Sequence, residues 1–186
     1  MKIVFVFIML VSAINVTANT LENRMASFAL LENTQATFVE TWIADYLDEP
    51  LVTRGKLSYR APNQLEKIIE SPELIEQRVI GDELSVTRDG DRQYQQLSNE
   101  PVLAAGINAM RNVLRGDQKQ LEKNFTVSFR EGDKNKEWVI GLIPRSQKVL
   151  KKIKDITLYG RRSYIQKIQI EYQNGDRLLT EIMHSE

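Results

Sequence analysis

NEPVLAAGINAMRNVLRG, residues 99–116, carries apolar residues at Leu103, Ile107, Met110 and Leu114, the spacing of one helical face. Val102, Ala105 and Val113 widen that face. Asn99 or Ser98 can cap its start, Pro101 fits the first turn, where a missing N–H costs nothing, and Gly116 can take the left-handed position after the last turn. Nearly everything else after residue 34 reads as short strands and turns, so the spacing predicts one helix inserted into a sheet. A lone amphipathic helix must bury its apolar face, and the concave side of a curved sheet is the simplest surface to offer it. Two readings stay open here: an ordinary core helix, or a lid over an apolar cavity.

Outward from that helix the periods are short. Leu21, Met25, Phe28 and Leu31 recur at helical spacing and predict a first helix over residues 21–33. From Gln35 the period drops to two, with Ala36, Phe38 and Trp42 on one side of a strand and Val39 and Ile43 on the other. Residues 51–60 alternate most clearly, Leu57 and Tyr59 falling on the apolar side and Lys56, Ser58 and Arg60 on the wet one. Strands follow over 65–70, 74–80, 84–88 and 92–98, separated by Ser71-Pro72, Gly81-Asp82 and the hairpin pair Asp89-Gly90. After the central helix come 125–130, 138–143, 152–159, 164–172 and, past the Asn174-Gly175 hairpin, 177–183. About eleven strands joined by short turns predict a mainly β (α+β) fold: a strongly curved, unclosed antiparallel barrel with an N-terminal helix and a central helical lid. There is no internal repeat and no linker long enough to mark a second domain.

The first 18 residues stand apart. Lys2 precedes the apolar run Ile3–Ile14, and Val16-Thr17-Ala18 supplies the small residues of a cleavage site, which predicts a secretory signal removed before Asn19. The run is short for a membrane span, and an uncleaved anchor is the competing reading. The 186 residues contain no cysteine, so neither a disulfide nor a lipidated cysteine is expected. Loss of Lys2 leaves 24 basic against 25 acidic residues, a balance that gives no general field for nucleic acid. Two local clusters, Lys148/Lys151/Lys152/Lys154 and Arg161-Arg162, read as solvated faces or as a partner or headgroup contact.

Catalytic chemistry finds little support. With no cysteine and a lone histidine, His184, close to the end of the sequence, nucleophilic triads and zinc sites have no material, and His184 reads as a frayed tail. Asp89-Gly90-Asp91 and Gly132-Asp133 lack the alternating oxygen ligands of a calcium loop. No phosphate-cradling glycine loop appears, and no catalytic residue, metal or cofactor is expected. What remains is apolar and aromatic. Phe38, Trp42, Leu57, Tyr59, Phe125, Phe129 and Trp138 are the candidates to line a cavity beneath the lid face Leu103, Ile107, Met110 and Leu114.

The order of features resembles the LolA-like family of periplasmic lipoprotein carriers. The resemblance rests on TFVETW (37–42), PLVTRGKLSYRAPNQL (50–65), Ser71-Pro72, GDEL (81–84), LRGD (114–117), KKIKDITLYG (151–160) and NGD (174–176), and covers the chain from residue 19 onward. Ala61 stands where the main branch has an arginine before the proline, and Lys67 stands near the place of an aromatic residue; the chain thus looks more like the divergent LolA-related branch, similar to carriers associated with lipid or pigment-lipid export. The resemblance implies a single carrier domain over 19–186, an unclosed β-barrel under helices, and no enzymatic activity. It also implies a periplasmic monomer that receives acylated lipoprotein or lipid cargo from an inner-membrane exporter and delivers it to an outer-membrane acceptor. A sensor or accessory module of the same fold, which binds such cargo without ferrying it, is the alternative, and a lipid hydrolase a distant third. N-terminal sequencing of the exported protein is expected to begin at Asn19; recovery of Met1 on a membrane-bound form would exclude a free shuttle.

Overall fold

The computed structural model describes residues 20–132 and 137–184. The proposed leader, residues 1–18, lies outside them. Helix α1 (Leu21–Phe28) is capped by Thr20, whose hydroxyl accepts from the Asn23 amide. It stops short of the residue 33 predicted from spacing, because the Leu31 amide bonds to the Phe28 carbonyl in a turn and Asn33 already pairs with Arg60 in the sheet. The strands β1 (Asn33–Ile43), β2 (Leu51–Arg60), β3 (Gln64–Ser71), β4 (Ile75–Ile80), β5 (Glu83–Arg88) and β6 (Asp91–Gln96) form a meander. A 3₁₀ turn (Leu97–Asn99) leads into α2 (Pro101–Leu114) and α3 (Gln118–Asn124). The second meander is β7 (Phe125–Glu131), β8 (Glu137–Pro144), the single turn α4 (Gln147–Leu150), β9 (Ile153–Arg161), β10 (Tyr164–Tyr172) and β11 (Arg177–Met183).

All eleven strands share one antiparallel sheet in the order β6-β5-β4-β3-β2-β1-β11-β10-β9-β8-β7. The two meanders join through β1 and β11, where Phe38 faces Ile182 and Glu40 faces Thr180. Strands β6 and β7 remain the two edges, so the barrel is not closed. Every residue of β6 is exposed, and its Arg92, Gln93, Gln95 and Gln96 make it a polar edge that discourages pairing with another chain.

Register carries side chains of one parity onto the concave face in rows. One row runs Phe129, Ile140, Leu158, Ile168, Thr180, Glu40, from β7 across to β1. Another runs Thr34, Tyr59, Leu65, Val79, Leu84, Gln95, from β1 out to β6. The helices do not cover these rows evenly. Helices α3 and α4 pack on β7, β8 and β9, and α2 reaches β9. Beneath them Ile140, Leu142, Ile156 and Leu158 are fully buried, and Phe28 of α1 meets Trp138 edge to face at 5.3 Å. The concave face of β2 to β5 receives less cover.

Four helices exist among the described residues where the sequence predicted two. The extra pair, α3 and α4, spans seven and four residues and buries one side chain each, Leu121 and Val149, which is too little to show a period. The predicted cap of α2 also shifts. Glu100 occupies the cap position with no side-chain bond, because Asn99 is wound into the 3₁₀ turn and the Ser98 hydroxyl donates to Asp82 at 2.7 Å. Pro101 opens the helix and Gly116 has φ +65° beyond its end, as the sequence predicted.

Gly160 on β9 marks a tight point of the core. A Cβ there would lie 2.1 Å from the Trp138 ring and 2.3 Å from the Tyr164 carbonyl. Gly160→Ala is expected to cost about 3 kcal/mol, read as a lower urea midpoint with unchanged slope, because neither the backbone nor a fully buried indole can move aside.

Candidate functional site

Between α2 and the less covered half of the sheet lies a cavity of about 340 Å³, within the range of small-ligand sites (about 300–1,000 Å³). The strands supply Ala36, Leu57, Val79, Leu84 and Val86 from the first meander and Ile168, Ile170, Leu178 and Ile182 from the second. Strand alternation delivers them, since facing pairs such as Ala36 and Leu57, Val79 and Leu84, and Ile170 and Leu178 turn both side chains to the concave face. Helix α2 supplies Leu103, Gly106, Ile107, Met110 and Leu114.

The helix divides its two sides by size. Ala104, Ala105, Ala109 and Val113 are its buried side, and these small residues let the backbone settle close to its neighbours. At Gly106 a Cβ would come within 3.2 Å of Ile170, so the helix all but touches the sheet there. The larger Ile107 and Met110 are only half buried, and Leu103 is 43% exposed. These are the residues that stand over the cavity.

Both ends of α2 are held. At the start, the Gly81-Asp82 turn between β4 and β5 is the anchor. The Leu97 amide donates to the Asp82 carbonyl at 2.8 Å and Ser98 bonds the Asp82 carboxylate, while from the last turn of the helix the Arg111 guanidinium donates to the Gly81 carbonyl. Arg111 also donates to Asn108 at 2.6 Å. Burial, and secondarily the charge of Arg115, lower the pKa of Arg111, yet guanidinium stays charged at neutral pH. At the far end, Gly116 lies against α1, where a Cβ would sit 2.3 Å from the Met25 carbonyl.

Polar groups interrupt the apolar wall at a few points. Glu40, Lys67 and Thr180 form a bonded cluster: the Lys67 ammonium lies 2.5 Å from Glu40 Oε1, and the Thr180 hydroxyl donates to Glu40 Oε2 at 2.8 Å. Burial, and then the charges of Glu40 and Asp176, push the Tyr172 phenol up, and burial against an opposing effect of Arg115 does the same at Tyr59. Both phenols therefore keep their protons at neutral pH. Tyr59 donates to the Pro62 carbonyl at 3.4 Å.

All four lid residues named from helical spacing, Leu103, Ile107, Met110 and Leu114, border this cavity, and so do Leu57 and Tyr59. The other five predicted lining residues lie elsewhere. Phe38 faces the concave side but is roofed by Lys67, whose Nζ sits 4.9 Å from the ring centroid. Trp42 stacks edge-on against Tyr172 at 5.0 Å and donates from its indole to Tyr46, beside the cavity and not in its wall. Phe125 and Trp138 are buried in the core of the helix-covered half, with the Trp138 indole donating to the Arg162 carbonyl at 2.9 Å, and Phe129 packs at its rim. His184 is not a frayed tail: its Nε2 bonds the Ile165 carbonyl at 2.9 Å and its ring borders the cavity. The missed lining is aliphatic. Its signal was the period-two run of Ile168 and Ile170 in β10 and Leu178 and Ile182 in β11.

A family profile described as "Outer membrane lipoprotein carrier protein LolA-like" matches residues 11–183. No curated protein sequence matches the chain. Among solved structures, a DUF1329 family protein from Desulfovibrio piger superposes with a TM-score of 0.50 at 8% identity, covering 89% of this chain and 90% of that one. A LolA superfamily protein from Nitrosomonas europaea gives a TM-score of 0.49 at 12% identity over 91% and 95% of the two chains. The lipoprotein LppX of Mycobacterium tuberculosis gives 0.44 at 13% over 87% and 91%.

Arg111→Met tests how α2 is held, since it keeps apolar bulk and removes both guanidinium bonds. Amide hydrogen exchange across residues 101–114 is expected to accelerate about tenfold, the equivalent of a lost hydrogen bond to a charged donor, with exchange in β8 and β9 unchanged.

Proposed function

The chain belongs to the LolA-like family of outer membrane lipoprotein carrier proteins, and on that premise we propose that it is a periplasmic carrier that binds the acyl chains of a lipoprotein or related lipid beneath α2 and moves them from the inner towards the outer membrane. In this reading it works as a monomer without catalysis, loaded by an inner-membrane exporter and unloaded by an outer-membrane acceptor.

The observation that carries the reading is the cavity itself. It is walled by aliphatic side chains, it opens to solvent beside α2, and the helix above it presents its bulky residues to the gap. Each acyl CH₂ left in water costs about 0.8 kcal/mol, so cargo crossing an aqueous compartment needs such a wall to travel against. Burying about ten methylenes returns about 8 kcal/mol before the costs of association, which sets a ceiling near micromolar affinity and lets the cargo leave again. Among the described residues no helix is long and apolar enough to cross a membrane.

Ile107→Glu separates this use of α2 from plain core packing. A carboxylate buried in a closed core would cost several kcal/mol and unfold a domain of ordinary stability. Facing an open cavity, the introduced carboxylate is expected to stay hydrated, leaving the circular dichroism spectrum native while native mass spectrometry loses the co-purifying lipid or acylated protein that the unmodified chain retains. A folded variant with unchanged cargo would remove the lid from the mechanism. In a two-vesicle assay with a fluorescent acylated peptide, a carrier accelerates transfer to the acceptor vesicles, whereas a sensor of the same fold binds the peptide without accelerating it.

A further inference from the structure

The cavity wall holds one arrangement that simple grease-binding does not require. Lys67 on β3 reaches past β2 to Glu40 on β1. The ladder position between them, next to Phe38, is Gly55, which cannot carry a side chain because its Cβ would lie 1.8 Å from the Ile68 carbonyl. The ammonium thus lies across the Phe38 ring and meets Glu40, whose second oxygen is taken by Thr180. The pair is mostly withdrawn from water, with side-chain exposures of 23% and 17%. Replacing such a pair by apolar residues of similar volume is commonly neutral or stabilising, so stability alone gives no reason for it in an otherwise aliphatic wall.

Each oxygen of the Glu40 carboxylate has a donor, and the donors around it have N–H and O–H groups to spare. The Lys67 ammonium has three N–H groups, and its one hydrogen-bonded partner among the described residues is Glu40. The Tyr172 hydroxyl, close enough to Glu40 to feel its charge, has no hydrogen-bond partner among the described residues, and both side chains border the cavity. Spare donors of this kind in an apolar cavity match acceptors that carry no charge. An anion would be drawn to Lys67 but repelled by Glu40 beside it, whereas a neutral carbonyl oxygen can accept a spare N–H and leave the ion pair intact.

Building on the carrier reading, we propose that Lys67, held by Glu40 and joined by Tyr172, is a recognition site for the uncharged carbonyl groups, ester or amide, at the root of the cargo's acyl chains. The aliphatic wall takes the chains and this cluster fixes how far they enter. The site therefore favours acyl esters and amides over free fatty acids of the same length.

Isothermal titration with three soluble probes of one chain length tests this: monolaurin, its ether analogue 1-O-dodecylglycerol, which lacks the carbonyl, and laurate. The unmodified chain is expected to bind monolaurin on the order of tenfold tighter than the ether, the worth of a charge-assisted hydrogen bond, and tighter than laurate. The double variant Glu40→Gln, Lys67→Met, which leaves no buried charge unpaired, is expected to bring monolaurin down to the affinity of the ether. Tyr172→Phe is expected to narrow the gap, and circular dichroism reports the fold of each. Equal binding of monolaurin and ether by the unmodified chain, a preference for laurate, or a preference that survives in the folded double variant would each overturn the site while leaving the acyl-carrier reading standing. Failure of all three probes to bind would overturn both.

Discussion

The structure depends on a mismatch of areas. An eleven-stranded sheet that curls without closing presents a concave face wider than its helices can cover. Helices α1, α3 and α4 are gathered at the β7 to β9 end, where Trp138, Ile140, Leu142, Ile156 and Leu158 disappear completely from solvent. Helix α2 spans what remains, and it is too narrow to seal it. It meets the sheet at Gly106 and Ile170, beds its alanines on one side and leaves Leu103, Ile107 and Met110 over a gap on the other. One helix is thereby both part of the core and the roof of a cavity, and the division follows side-chain volume: small residues allow close approach where the helix is packed, and large ones reach across where it is not.

Much of this is legible in the residues, wherever a long enough period exists. The alternation in residues 51–60, 164–172 and 177–183 gives β2, β10 and β11 to the residue, and the spacing of Leu103, Ile107, Met110 and Leu114 gives α2 and its cavity-facing side. Helices α3 and α4 escape because a period needs several buried positions and each has one. The aromatic candidates fail for a different reason. Size marks a residue as worth burying but says nothing about where the helices will sit, and Phe125 and Trp138 fall under α1 to α3 because β7 and β8 do. The cavity wall is made instead of ordinary aliphatic residues, which look in sequence like any other strand interior.

The polar members of the wall were least legible. Glu40 and Lys67 stand 27 positions apart on strands that are not neighbours, and only the register, with Gly55 leaving the intervening position bare, shows that one can reach the other. Period two sets Glu40 on the same side of its strand as Ala36, Phe38 and Trp42, but only its pairing with Thr180 places it on the concave face in the same row as Ile168 and Leu158.

The two ends of α2 are secured by different kinds of force, and this decides how the helix can yield. The residues that lead into its first turn are tied to the Gly81-Asp82 turn through Leu97 and Ser98, and the Ser98 contacts to the Asp82 carboxylate are polar and near solvent, so water can replace them as they break. Its last turn, with Arg111 bonded to the Gly81 carbonyl from a part-buried position, Val113 and Leu114 buried and Gly116 seated on α1, is held mainly by packing that water cannot replace. Lifting the helix from the Pro101 end therefore costs hydrogen bonds that are largely exchanged for others, whereas lifting it from the Leu114 end would open the core. The cavity-facing residues Leu103, Ile107 and Met110 are spread from the weakly held end toward the middle, so the helix is most easily displaced over the same turns that an incoming chain would touch.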